Sequence, residues 1–108
     1  MNTEKIDNLD LLKQMAKTYI WWKTPDEAIK YPNRIIAQVM DIGDWYDVEK
    51  VLQAFGKERF KEVLQSAEAG QFSPKSWNFW HLQLKLSVYG VTPVPDLPVR
   101  RFENNLIN

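Results

Sequence analysis

The stretch Ser73 to Tyr89, SPKSWNFWHLQLKLSVY, limits the possible folds more than any other, because it is apolar on two opposite faces. Read as a helix, it places Trp77, Trp80, Leu84 and Val88 on one face. Phe79, Leu82, Leu86 and Tyr89 fall on the other. Trp80, Leu82, Leu84, Leu86 and Val88 also alternate as a strand would. Helix is favoured because Ser73 suits an N-cap, Pro74 suits the first helical position, and Phe79 beside Trp80 breaks the alternation. Gly90 is expected to close the far end. Such a helix is either central, or buried on one side and docked to a partner on the other. Tryptophan is the residue type most often found as a binding anchor, so Trp77 and Trp80 are expected to face a partner. Phe79, Leu82 and Leu86 are then expected to face the core. His81 lies between the stripes, at the margin of the same partner-binding face.

The rest of the chain reads as short helices separated by proline and glycine. Leu9, Leu12, Met15, Ala16 and Tyr19 recur at helical spacing, with Asp7 or Asn8 available as a cap. Ile20, Trp21 and Trp22 form an aromatic knot. Thr24-Pro25-Asp26-Glu27 has the pattern of a capping box, opening a short turn that Tyr31-Pro32 interrupts. Pro32 to Ile42 turns Ile35, Ile36, Val39 and Met40 inward and ends at Gly43. Asp44 caps a further helix with Trp45, Val48, Val51, Leu52 and Phe55 inward, closed by Gly56. Gly43 and Gly56 are both expected in the left-handed conformation that ends helices. Lys57 to Glu68 follows, with Phe60, Val63, Leu64 and Ala67 on its dry side. Beyond Gly90, prolines at 93, 95 and 98 forbid helix and favour extended backbone. The expectation is an all-α domain of five or six short helices over residues 1–90, with an extended proline-rich tail over 91–108. That tail either hangs free or packs on its own domain or on a partner.

Length and charge narrow the function. A chain of 108 residues is one domain, large enough to bury a core without staples. Fourteen basic residues cancel fourteen acidic ones, whereas a protein that grips a phosphate backbone carries a clear positive excess. No cysteine is present, which fits the cytoplasm. The start, MNTEKIDNLDLL, lacks the basic-then-apolar order of a signal peptide, and no apolar run approaches a membrane span.

Catalytic, cofactor and metal sites have little support. The four glycines stand singly, so no phosphate-cradling loop or nucleophile elbow exists. His81, the sole histidine, has no local nucleophile or orienting carboxylate, and reads as a packed or surface residue. Asp41, Asp44 and Asp47 recur every three residues but lack the glycine and terminal glutamate of a calcium loop. Capping explains Asp44 and Asp47 better. Asp47 to Leu64 has the outline of a DNA-binding helix-turn-helix with Gly56 as its turn glycine. In detail it departs: Leu52 stands where a small residue lets the helices approach, and charged Lys57 and Glu62 stand at core positions.

Ile42-Gly43-Asp44 through Asp47, Phe55-Gly56-Lys57-Glu58-Arg59, Glu62-Val63-Leu64, and Ser73-Pro74-Lys75 with Asn78-Phe79-Trp80 form a spaced series. The series resembles a family of small bacterial domains of unknown function. The Ile20-Trp21-Trp22 knot resembles the aromatic stretch with which those domains begin, so the likeness runs from Ile20 to Leu86. Trp77, where a small or polar residue is more usual, and the N-terminal extension depart from the pattern. Members are often encoded beside a nucleotidyltransferase-like toxin of the abortive-infection type. The resemblance therefore implies an antitoxin or accessory partner, with no catalytic residues to carry over. On that reading Arg100 and Arg101, carried by the proline-stiffened tail, sit at the rim of the Trp77–Trp80 surface and meet acidic groups of the toxin.

The expected function is thus non-catalytic protein binding, with a small helix-turn-helix DNA-binding regulator as the alternative. A mobility-shift titration at low salt with DNA from its own promoter region is expected to show no tight complex. A salt-sensitive shift at nanomolar protein would favour the regulator instead.

Overall fold

The computed structural model describes residues 3–88 and 90–99, with side chains from Asn8 onward. Its described residues form six helices: α1 (Thr3–Tyr19), α2 (Pro25–Ala28), α3 (Pro32–Ile42), α4 (Trp45–Phe55), α5 (Lys57–Gln65) and α6 (Pro74–Gln83). The fold is all-α, as the proline and glycine punctuation implied, and an isolated antiparallel bridge, the one found among the described residues, joins Val88 to Thr92.

α3 is the hub. Pro32 opens it and Ile35, Ile36, Ala37, Val39 and Met40 are all buried. At 3.6 residues per turn those five positions cover more than half of the helix circumference, so more than one neighbour is needed. α3 packs against each of the other five helices. α1 contributes Leu12, Met15 and Ala16, and Ile20 follows from the turn after it. Leu9, expected in that stripe, is exposed. The start of α1 also differs, at Thr3 rather than after an Asp7 or Asn8 cap. Neither proline nor glycine stands between Thr3 and Asn8 to stop the extra turn.

The caps behave as their residue types demand. Thr24 Oγ1 accepts from the Glu27 amide at 3.2 Å, Asp44 Oδ1 from the Asp47 amide at 2.9 Å, and Ser73 Oγ from the Ser76 amide at 3.2 Å. A second layer ties α1 to the start of α4. Tyr19 donates its hydroxyl to Asp47 Oδ2 at 2.6 Å and accepts from the Asp44 amide at 3.2 Å. Burial, and then the bond to the Asp47 carboxylate, hold the Tyr19 phenol above its ordinary pKa. The three aspartates expected at regular spacing therefore do separate jobs, since Asp41 Oδ1 accepts from the Ser73 amide at 3.0 Å.

The two helix-ending glycines do not share one conformation. Gly56 has φ +89° and ψ 162°, positive but in the mirror-extended region rather than the left-handed helical one. It is the whole joint between α4 and α5, where a helix-turn-helix has about three or four residues. Gly43 has φ −69° and ψ 152°, ordinary for any residue, which corrects the expectation of a left-handed cap. Its need for glycine is steric, because a Cβ there would lie 2.5 Å from the Val39 carbonyl oxygen.

α6 ends six residues before Tyr89, and Gly90 does not close it. Lys85 adopts φ +60°, and the Leu86 and Ser87 amides both donate to the His81 carbonyl at 2.9 and 3.1 Å. This is a Schellman-like close built without glycine. α5 likewise stops at Gln65 rather than Glu68. Past the Val88–Thr92 bridge, residues 93–99 carry no regular structure and pack on their own domain. Ser87 Oγ donates to the Pro93 carbonyl at 3.2 Å, Trp77 Nε1 donates to the Pro95 carbonyl at 2.7 Å, and Val94 and Leu97 rest against the core.

Two substitutions separate the glycine explanations. Gly56→Ala is expected to cost about 1–3 kcal/mol through a backbone conformation nearly confined to glycine. Gly43→Ala should cost about 1–3 kcal/mol through overpacking against a carbonyl. Denaturant midpoints read both, and an unshifted midpoint at Gly43 would show that the Val39 turn yields freely.

Candidate functional site

The two faces of α6 are divided the opposite way from the sequence expectation. Trp77 and Trp80 are 6% and 2% exposed, and His81 is buried with them. Phe79 is 44% exposed and Leu82 is exposed as well, while Leu86 is half-buried against the core. The reason lies in the polar handles of the tryptophans. Trp80 Nε1 donates to the Met40 carbonyl at 2.9 Å and Trp77 Nε1 to Pro95, so both indoles enter the interior without stranding a donor. Trp80 also packs edge-on against Phe60, ring centroids 5.3 Å apart. His81 donates Nδ1–H to the Trp77 carbonyl at 2.8 Å, a carbonyl being able only to accept, and its ring lies 4.3 Å from that of Trp77. Trp77, Trp80 and His81 are core residues in this fold. Arg100 and Arg101 lie outside the described residues.

The start of α4 reaches α6 through one aromatic ring. Trp45, read from its spacing as an inward residue, is 53% exposed. It is the first residue of α4, and its ring stacks on Trp80 at 6.5 Å with planes 16° apart instead of entering the core. Phe79 meets Trp80 from another direction, 5.0 Å away and nearly perpendicular. Trp45 and Phe79 thus flank a groove of about 310 Å³, with Trp80, Met40 and Val48 among its apolar lining and Lys75 and Asp41 at its polar margin. Each exposed ring is braced by a buried one.

The sequence held a signal for Phe79. Lys75 and Gln83 stand four residues before and after it, and helical neighbours that polar mark a wet face. The two tryptophans instead have Ser73, Ser76, His81 and Leu84 at that spacing, none of them charged as Lys75 is. Trp45 carried no such signal, because Val48 and Leu52 follow at three and seven residues and place it on the apolar stripe.

No family model, curated protein or solved structure matches the chain. Among the described residues no helix is long and apolar enough to cross a membrane.

The reversed stripes can be measured. Trp80→Ala is expected to cost about 3–5 kcal/mol of stability, as for any large buried aromatic. Phe79→Ala should cost about 1 kcal/mol or less, because half of the ring is already in water. Equal losses in denaturant unfolding would mean that Phe79 is part of the core after all.

Proposed function

We propose that this chain is a non-catalytic protein-binding module, and that its partner is a nucleotidyltransferase-like toxin for which it serves as antitoxin or accessory subunit. The partner class comes from the resemblance carried by the Gly-Asp, aromatic-Gly and Ser-Pro-Lys…Asn-Phe-Trp series. The docking face we propose is the Trp45–Phe79 groove, in place of the Trp77–Trp80 face expected from sequence.

One observation carries the docking face. Two large rings stand half in water in the lining of one groove, each packed against the buried ring of Trp80. A ring fixed before binding loses little rotamer freedom when a partner covers it, so more of the gain from burying its area survives as affinity. Aromatic anchors in a preformed pocket are also where interface energy concentrates. Lys75 at the margin offers a cation to an acidic rim on the partner.

The protein encoded by the neighbouring gene is the partner to titrate. Trp45→Ala and Phe79→Ala should each weaken binding by roughly 2 kcal/mol or more while the melting transition changes little. Full affinity in both variants would exclude this face. Self-association of the wild type that either substitution abolishes would make the groove a dimer contact instead.

A further inference from the structure

We infer that the groove where α2 meets α3 binds a nucleoside phosphate. The inference does not rest on the toxin reading, and it uses a different surface. Two hollows of about 240 and 360 Å³ adjoin there and share Tyr31, Arg34, Glu68 and Gln71 as lining. Together they fall in the size range of small-molecule sites. Their unshared ends differ in chemistry. Trp22 lines only the smaller, with Lys23 beside it, and Lys30, Asn33 and Arg59 line only the larger.

The aromatic end offers a platform. Trp22 is 56% exposed, and Trp21 packs against it at 5.5 Å with rings at 89°, which steadies the pair. Tyr31 already has the Arg34 guanidinium 4.6 Å from its ring centre, so it serves as a wall while Trp22 remains for stacking. A nucleobase of any kind can stack on such a ring.

The cationic end has positive charge to spare. Glu68 is the only carboxylate that lines either hollow, and Arg34 occupies both its oxygens at 3.2 Å each. That leaves Lys23 in the smaller hollow and Lys30 and Arg59 in the larger, none of which pairs with a carboxylate among the described residues. Arg59 gives its Nε–H to Asn33 Oδ1 at 2.8 Å, which orients the guanidinium and leaves the terminal N–H groups for another acceptor. α3 begins in the same hollow with no side-chain cap and no acidic residue in its first turn, so its positive end adds to the field. In a chain whose formal charges cancel, this concentration of cations is local.

A bare oxyanion would leave the Trp22 ring uncovered, and an apolar molecule would leave Lys23, Lys30 and Arg59 unengaged. A nucleoside phosphate engages both, with its base on Trp22 and its phosphate toward Lys30 and Arg59. A free nucleotide and the phosphorylated end of a strand present the same chemistry.

The test is titration of the full chain, by tryptophan fluorescence and calorimetry, with AMP, adenosine, inorganic phosphate and a short 5′-phosphorylated single strand. AMP should bind more tightly than adenosine or phosphate. Lys30→Glu and Trp22→Ala, both at exposed positions, should each weaken AMP by about tenfold or more, a change of one decade in Kd. Lys50→Glu, outside the groove, should leave it unchanged, and melting curves check that all variants fold. If the strand binds more tightly than AMP, strand ends are the natural ligand; if equally, free nucleotides are. Three results would overturn the inference: no saturable binding by any probe, phosphate binding as tightly as AMP, or AMP binding indifferent to Trp22→Ala.

Discussion

The structure depends on keeping more than half of the α3 surface dry. Its five buried residues span too wide an arc for one neighbour, so the other helices are arranged round it. The Trp80 indole is the clearest instance. It fills the space between α3 and α5, and its N–H satisfies the Met40 carbonyl close to the end of α3. A phenylalanine there could fill most of the volume but would leave that carbonyl without its indole donor. The hydrogen bond therefore does what hydrophobic burial cannot, fixing where along α3 the last helix sits.

Much of this was legible from local chemistry. The limits of α3, the Thr24, Asp44 and Ser73 caps, and the inward set Ile35, Ile36, Val39 and Met40 follow from proline placement, side-chain oxygens and a single apolar stripe. These are properties of a few adjacent residues. The misplaced features have a different origin. α6 is closed by Lys85 in a conformation usually left to glycine, and that choice answers to Leu84 finding the core rather than to the residue itself. Trp45 sits at the apolar spacing but at the first helical position, where whether a side chain points into or past the core depends on the neighbouring helix.

The candidate docking face was hidden for a related reason. Frequencies of residue types at interfaces favour tryptophan, and on that basis Trp77 and Trp80 were the natural anchors. Yet an indole whose N–H finds a backbone acceptor is also among the most effective core-filling groups. Composition cannot separate the two uses, because the deciding acceptors, Met40 and Pro95, lie 40 residues before one tryptophan and 18 after the other. The polar neighbours of Phe79 were the better guide.

The contact between Trp77 and Pro95 joins the arm, residues 93–99, to α6 through an indole N–H that has no other acceptor among the described residues. Among the described residues the arm is held by two side-chain hydrogen bonds and the half-buried Val94 and Leu97, a much smaller set of interactions than the core beneath it. Its prolines keep the backbone extended when detached, so little conformational freedom is lost on return. Local openings of this kind occur far more often than global unfolding. An opening here would leave an indole N–H at the surface of α6 in want of an acceptor. Any molecule that brings a carbonyl to Trp77 must compete with the chain's own Pro95, so the arm sets a threshold affinity for that part of the surface.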